Sequence, residues 1–173
     1  MEFIEVVKKR RSVRQFKERD IPEGDVKKIL RIGHMAPSAG NLQGRDFVVV
    51  REEEEKEKLS RNAYSQAFIA EAPWVVVVCA NKRRSGRKYG ERGEELYSVQ
   101  DATAAVQNML LAIEDLEYAS VWIGAFDEEA VSQQLQLPSH IRPVAILPIG
   151  YRAVEPDKPD KIDVEDITHH ERW

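Results

Sequence analysis

The feature that most constrains this chain is a run of seven apolar residues at 74–80, four of which are valine. Valine and other β-branched residues favour strands, and a strand without polar residues has to be covered on both of its faces. The run therefore predicts the central strand of a sheet. Further apolar runs at 47–50, 121–123 and 143–149 predict three more strands.

Helices are predicted between these strands from hydrophobic spacing and capping residues. The segments predicted as helical are 3–9, 22–36, 52–61 and 94–117, followed by a short helix that Asp127 caps. The longest helix carries few charges between Thr103 and Ile113, which predicts that it lies in the core or at a subunit interface. Strands and helices do not alternate regularly, so we expect an α+β fold with a small central mixed sheet flanked by helices.

Two segments are predicted to lie outside the core. Residues 82–92 are strongly basic and, together with Gly93, contain three glycines, which predicts a mobile surface loop. Residues 153–173 are rich in charge and cannot build a core of their own. The basic cluster at 82–88 also suggests a nucleic-acid surface, but the acidic chain and the scarcity of nearby aromatic residues favour a solvated segment.

Composition limits the classes of protein to which the chain can belong. Its 173 residues suit one domain, and the net charge of −4 gives no general attraction to nucleic acid or to acidic membranes. The single cysteine, Cys79, excludes an intramolecular disulfide, so a cytoplasmic location is expected. No apolar run reaches the length of a membrane span, and the four histidines do not form a convincing metal set.

An arginine-rich segment at 10–16 is the first candidate for ligand binding. It contains Arg10, Arg11, Ser12 and Arg14, and a guanidinium pairs bidentately with phosphate while a serine hydroxyl can bond the same oxygens. In an extended strand Arg10, Ser12 and Arg14 would share one face while Val13 turns inward. The alternative is a solvated basic stretch at a helix C-terminus, where cations also suit the helix dipole.

A second candidate is the segment of small and polar residues at 36–43. Small residues allow a backbone to approach a flat ligand closely, and Ser38, Asn41 and Gln43 offer hydrogen-bond donors and acceptors. The alternative is an ordinary polar turn between a helix and a strand, and taken alone this is the better interpretation.

Together with two shorter motifs, these segments resemble the nitroreductase family of FMN-dependent oxidoreductases. The motifs occur in the family's order at 10–16, 36–43, 122–126 and 150–152, and the resemblance runs from about residue 3 to 152. It implies an intertwined homodimer that binds two FMN molecules at the subunit interface. Residues 1–173 would form one FMN-binding domain, with the tail at 153–173 wrapping the partner subunit.

The resemblance also implies a set of FMN contacts. Arg10 and Ser12, with Arg152 from the far end of the chain, would hold the phosphate. Arg14 would face the pyrimidine edge of the ring and stabilise the reduced flavin, and no other catalytic side chain is implied. The small-residue loop of the other subunit would cover the ring, while a Gly-Ala backbone would approach flavin N5. The implied cofactor-binding residues are Arg10, Arg11, Ser12, Arg14, Pro37, Ser38, Ala39, Asn41, Gln43, Gly124, Ala125 and Arg152.

The implied activity is electron transfer from NADH or NADPH to a small electron-poor acceptor of the nitroaromatic or quinone type. Both substrates would use the same flavin face in turn, which gives a ping-pong cycle with flavin N5 as the reacting atom. The longer helical insertion of larger members has no clear counterpart, and residues 82–97 are the candidate for its place. Reductive dehalogenation, flavin fragmentation, dehydrogenation of modified peptides and non-enzymatic flavin storage or sensing stay open as alternatives.

Overall fold

The computed structural model describes residues 2–173 and contains seven α-helices and four strands within that range. The helices are α1 (Phe3–Lys9), α2 (Glu23–His34), α3 (Glu53–Asn62), α4 (Phe68–Glu71), α5 (Lys82–Arg92), α6 (Ser98–Asp115) and α7 (Glu128–Gln134). The strands are β1 (Arg45–Val50), β2 (Trp74–Asn81), β3 (Ala119–Ser120) and β4 (Ile141–Gly150). Short 3₁₀ turns lie at Ala39–Asn41 and Val164–Ile167, and a π-helical turn at Gly93–Tyr97 joins α5 to α6.

The four strands form one sheet in the order β1-β2-β4-β3, and all three pairings are antiparallel. A parallel bridge between Ser12 and Ser120 adds the only parallel element among the pairings of residues 2–173. The predicted α+β class with a small central sheet is confirmed.

Strand β2 is the centre of the core. All eight of its residues are buried, with Val76 and Val78 facing one apolar cluster and Val75 and Val77 facing another. The first cluster lies under α2 and α6, while the second contains residues from α3, α4 and α7. Helices therefore cover the sheet on both sides, and the predicted burial of both faces of this strand is confirmed.

The prediction of a mobile loop at 82–92 is wrong, because this segment forms α5. The side chain of Asn81 caps the helix by accepting a hydrogen bond from the backbone N–H of Arg84 at 2.9 Å. Arg84 also pairs with Asp46 at 3.0 Å, and Ser85 is fully buried. The ion pair of Arg84 with Asp46, which lies outside the helix, reduces the repulsion between the basic side chains. The helical backbone is interrupted at Gly90, where φ is +54°.

The strand predicted at 121–123 is also displaced. Regular pairing with β4 is confined to Ala119 and Ser120, and Ile123 forms only an isolated bridge with Ile146. The chain leaves the sheet edge between these positions, so Trp122 becomes partly exposed while Val121 stays buried. No helix within residues 2–173 is long and apolar enough to cross a membrane.

Cys79 provides a test of the core around β2. Burial, with a smaller contribution from the charge of Asp46, raises the pKa of the Cys79 thiol from 9.0 to about 12. Because the thiolate is the nucleophile, the folded protein should react with a disulfide reagent at about pH 8 far more slowly than the urea-unfolded chain. The measurement is thiol titration with Ellman's reagent, and rapid modification of the folded protein would contradict the described core.

Candidate functional site

The arginine segment, residues 10–16, leaves the end of α1 and runs in extended form past the edge of the sheet. The backbone N–H of Val13 donates to the carbonyl of Ser120 at 3.0 Å, and Phe16 forms an antiparallel bridge with Arg152. Val13 is buried, while Ser12 and Arg14 on either side of it are exposed. The sheet edge therefore fixes the alternation that the sequence predicts for these three residues.

The arginines of this segment have different roles in the chain. The guanidinium of Arg11 donates to the carbonyls of Lys8 at 2.7 Å and Arg10 at 2.9 Å, so it stabilises the C-terminal end of α1. Within residues 2–173, the side chains of Arg10, Ser12 and Arg14 have no hydrogen-bond or ion-pair partner. These three groups are therefore free to bind an anion, whereas Arg11 is already engaged.

Arg152 lies beside the arginine segment through its backbone, but its side chain is engaged by carboxylates. The guanidinium bonds Glu114 at 2.7 Å and Glu155 at 2.7 Å, and Glu114 is buried. Two carboxylates neutralise this cation, so a phosphate would have to share it or displace Glu155, which is the exposed partner. The role of Arg152 in phosphate binding stays a prediction.

A cavity of about 460 Å³ lies next to Arg152. The cavity is lined by Arg152, Arg11, two lysines of α1 and three glutamates, but not by Arg10 or Ser12. The mixed charge of this lining is less suited to a phosphate than the exposed face of the arginine segment. This cavity therefore brings Arg152 together with neither Arg10 nor Ser12.

The loop of residues 36–44 connects α2 to β1 and contains the second set of predicted residues. Its centre is a 3₁₀ turn in which Gly40 and Asn41 have φ of 55° and 57°. Gln43, which follows this turn, has φ of 54°. The hydroxyl of Ser38 accepts a hydrogen bond from the backbone N–H of Gln43 at 3.0 Å. Pro37 and Asn41 are exposed, while Ala39 is half-buried, so the loop presents small and polar groups at the surface.

Two buried charged residues that the sequence analysis did not single out support this loop. Asp101 of α6 accepts hydrogen bonds from the backbone N–H groups of Ala39 at 2.9 Å and Gly44 at 3.0 Å. Arg45, the first residue of β1, donates to carbonyls of the loop and of the end of α2. Burial lowers the pKa of Arg45, and the charge of Asp101 opposes this shift. Two sequence features could have indicated these residues. Asp101 is an acid on the small-residue face of a long helix, and Arg45 is an arginine at the start of an apolar strand.

The segment at 122–126 presents an open backbone. Gly124 is exposed, and a Cβ added there would meet nothing nearer than the indole nitrogen of Trp122 at 3.9 Å. The carbonyl of Ala125 accepts a hydrogen bond from Gln66 at 3.1 Å, which fixes the segment beside α4. Nothing within residues 2–173 requires glycine at 124, so the open surface fits the predicted close approach of a flat ligand.

Other candidate sites carry little support. Within residues 2–173, no group of three or more His, Cys, Asp or Glu side chains is placed to hold a metal ion. In the basic helix α5, Lys82 pairs with Glu95 at 2.5 Å and Arg92 bonds the hydroxyl of Tyr97 at 2.9 Å. Part of its charge is therefore used within the fold rather than offered to a nucleic acid.

Comparison with known proteins places this arrangement in a family. The nitroreductase family model matches residues 7–67 and 60–151. A relative from Archaeoglobus fulgidus, provisionally named NADH dehydrogenase/NAD(P)H nitroreductase, is 34% identical over 99% of this chain and 99% of its own length. A relative of the same provisional name from Methanothermobacter thermautotrophicus is 32% identical over 100% of this chain and 88% of its own length.

A solved structure gives the same result for the fold. A nitroreductase family protein from Clostridium difficile has a TM-score of 0.87 and 29% sequence identity, with 100% of both chains covered. The family model spans all four motifs apart from the last residue of the fourth, and the two relatives extend the similarity over nearly the whole chain. The chain therefore belongs to the nitroreductase family.

Proposed function

We propose that this chain is an FMN-dependent oxidoreductase that works as a homodimer by a ping-pong mechanism. Membership of the nitroreductase family supports the coarser statement, an NAD(P)H-dependent oxidoreductase. The finer proposal is that FMN passes the electrons to an electron-poor acceptor of the nitroaromatic or quinone type. The observation that carries it is the exposed pair Ser12 and Arg14 next to Arg10, whose polar groups have no partner within residues 2–173.

Two chains would be needed to build the site, because the loop and the arginine segment lie at opposite ends of the sheet. Arg45, which follows the loop, pairs with Ala80 near one end of β2, whereas Trp74 at the other end pairs with Ile149. Phe16 of the arginine segment forms its bridge just beyond this second end. Six residues of strand span about 20 Å. A flavin ring held by one chain's arginine segment would therefore be covered by the loop of a second chain.

Exposed apolar side chains support the same homodimer. Helix α1 exposes Phe3 and Ile4, and the tail at 153–173 exposes Ile162 and Trp173. Ile162 is 71% exposed although it belongs to a class of residue that is usually buried. A tail that wraps a partner subunit would remove these side chains from water, which is the proposed role of residues 153–173.

The side chains would contribute binding and electrostatics rather than a catalytic triad. Bound FMN would supply the redox chemistry by accepting hydride at N5. Arg10 and Ser12 would bind the phosphate, and Arg14 would place positive charge at the edge of the ring where reduction adds negative charge. The open surface at Gly124 would let the backbone come close to the reacting edge of the ring.

The first test is the visible absorption spectrum of the purified protein, recorded without air before and after NADPH or NADH is added. We expect the bands of a bound flavin, which bleach on addition of the nicotinamide because the family's chemistry begins with hydride transfer. A bound flavin that neither nucleotide bleaches would instead support storage or sensing. A colourless protein that cannot be reconstituted with FMN would overturn the proposal.

Separate substitutions distinguish the two proposed roles of the arginines. Arg10→Ala should weaken FMN binding by about tenfold to hundredfold, because a charge-assisted hydrogen bond to phosphate contributes roughly 1.5–3 kcal/mol. Arg14→Ala should leave FMN bound but lower the flavin reduction potential, since the reduced ring loses a nearby cation. Fluorescence titration and spectroelectrochemistry measure the two effects.

Lys28→Ala is the charge-matched control for both substitutions, because it removes one exposed cation from α2, away from the arginine segment. Lys28→Ala should change neither the FMN affinity nor the flavin reduction potential. If Arg14→Ala leaves the potential at the wild-type value, the electrostatic role of Arg14 is wrong. If Arg10→Ala binds FMN as the control does, Arg10 does not hold the phosphate.

A further inference from the structure

We infer that Asp101 and Arg45 are positioning residues that hold the loop of residues 36–44 in the shape needed to cover the flavin. Neither residue is expected to touch the cofactor, and both act through the loop backbone. The inference rests on the proposed function, because the loop is the segment proposed to lie over the ring. It adds a pair of buried charged residues to a site otherwise built from exposed and half-buried groups.

Asp101 is held under the loop as an acceptor for two backbone donors. Its side chain is on α6 and only 4% exposed, and each carboxylate oxygen accepts one N–H, from Ala39 at 2.9 Å and from Gly44 at 3.0 Å. An ionised carboxylate only accepts hydrogen bonds, so both of its oxygens suit this position. An asparagine in the same place would turn an NH₂ group toward one of the two backbone donors.

Arg45 completes the support from the strand side. Its guanidinium donates to the carbonyls of His34 at 2.6 Å, Ala36 at 2.6 Å and Pro37 at 3.1 Å, and to the backbone carbonyl of Asp101 at 3.3 Å. The carbonyls of His34, Ala36 and Pro37 lie at the end of α2 and the start of the loop, where helical partners are missing. The planar fork of arginine can reach several carbonyls at once, which a lysine ammonium cannot do in the same geometry.

The backbone between these anchors is strained. Asn41 and Gln43 both have φ near +55°, in the left-handed region, which asparagine tolerates better than most residues but which glutamine rarely adopts. Strained conformations of this kind persist where surrounding contacts over-determine them, and they concentrate at ligand sites. The hydrogen bonds at Ala39 and Gly44 bracket the strained residues, so Asp101 opposes their relaxation.

A third side chain, Arg84 of α5, holds the end of the loop that leads into β1. It donates to the carbonyls of Gln43 at 2.7 Å and Arg45 at 2.9 Å. At the centre of the loop there is little free space, because a Cβ on Gly40 would lie 2.6 Å from the hydroxyl of Tyr89. The loop is thus fixed from α6, β1 and α5 although Gly40 itself is exposed.

Fixing an exposed loop in this way favours a binding role over a purely structural one. Asn41 is exposed and adds nothing to either large apolar cluster of the core. A loop that is already ordered before a ligand arrives loses less conformational entropy when the ligand binds. Asp101 and Arg45 would therefore strengthen cofactor binding without contacting the cofactor.

The test is Asp101→Asn, with three readouts. Amide hydrogen exchange of the FMN-free protein should be faster for the peptide covering 36–44, because one backbone N–H loses its acceptor. FMN titration of the same protein should show binding weaker by up to about a hundredfold, because the lost hydrogen bond to a charged group sets the upper limit of the effect that reaches FMN through the loop. Visible circular dichroism of the FMN-saturated variant should differ from wild type, since the covering loop shapes the surroundings of the ring.

Asp20→Asn is the control for exchanging a hydrogen-bonded carboxylate for an amide at an exposed position. Asp20 also accepts hydrogen bonds from a backbone N–H and from side chains, but its partners Ile21, Arg51 and Trp74 lie outside the loop. A general effect of exchanging a hydrogen-bonded carboxylate for an amide would appear in both variants, whereas the inference predicts altered loop exchange, FMN affinity and dichroism for Asp101→Asn alone. Equal effects in the two variants would overturn the positioning role.

Arg84→Met provides a second variant if Asp101→Asn does not fold, because Arg84 is partly exposed and methionine keeps the apolar stem. It should speed exchange in 36–44 and weaken FMN binding roughly threefold to tenfold. Wild-type protein that binds FMN, together with variants that bind it equally well, overturns this inference alone. Wild-type protein that binds no FMN overturns the proposed function and the positioning role with it.

Discussion

The buried pairing of β2 with both β1 and β4 determines where the candidate residues of the site can lie. All eight residues of β2 are buried, so helices have to cover the sheet on both sides. Because both neighbouring strands are antiparallel to β2, the start of β1 and the end of β4 lie at opposite ends of the sheet. The loop at 36–44 precedes β1, and the arginine segment joins the sheet beside the end of β4. In a two-fold dimer, such an arrangement lets the loop of each chain approach the arginine segment of the other.

Charged residues near the site fall into two physical classes. Arg45 and Arg152 are paired with acceptors of their own chain and hold loop and tail segments in place. Arg10 and Arg14 have no such partner within residues 2–173 and keep their full capacity for an anion. The division follows from desolvation. A buried cation is stable only where carbonyls or carboxylates replace its water, whereas a solvent-accessible cation stays hydrated until it binds a ligand. The proposed site uses Arg45 for shape and Arg10 and Arg14 for binding, while phosphate binding by Arg152 stays a prediction.

The sequence predicted those features that local composition decides. The apolar run at 74–80 is short and rich in β-branched valine, which favours a strand buried on both faces, so its position and burial were correctly predicted. Residues 82–92 are predicted as a loop because they are strongly basic and, with Gly93, contain three glycines, whereas the helix is stabilised by partners such as Asp46, 38 positions from Arg84. The support of the 36–44 loop was missed for the same reason, since Arg45 and Asp101 are 56 positions apart. Motif order identified the family, but only the fold revealed which arginines are free.

The central claim is that one flavin site is built from two chains, and complementation between two defective chains tests it most directly. One chain would carry Arg10→Ala and Arg14→Ala, and the other Gly40→Val, which places a branched side chain against Tyr89 at φ +55°. Each variant alone should bind FMN poorly. Co-expressed and purified through two different tags, the mixed dimer should regain one tightly bound FMN, because one of its two sites then combines an intact arginine segment with an intact loop. A mixed dimer that binds FMN no better than either parent would contradict a site shared between chains.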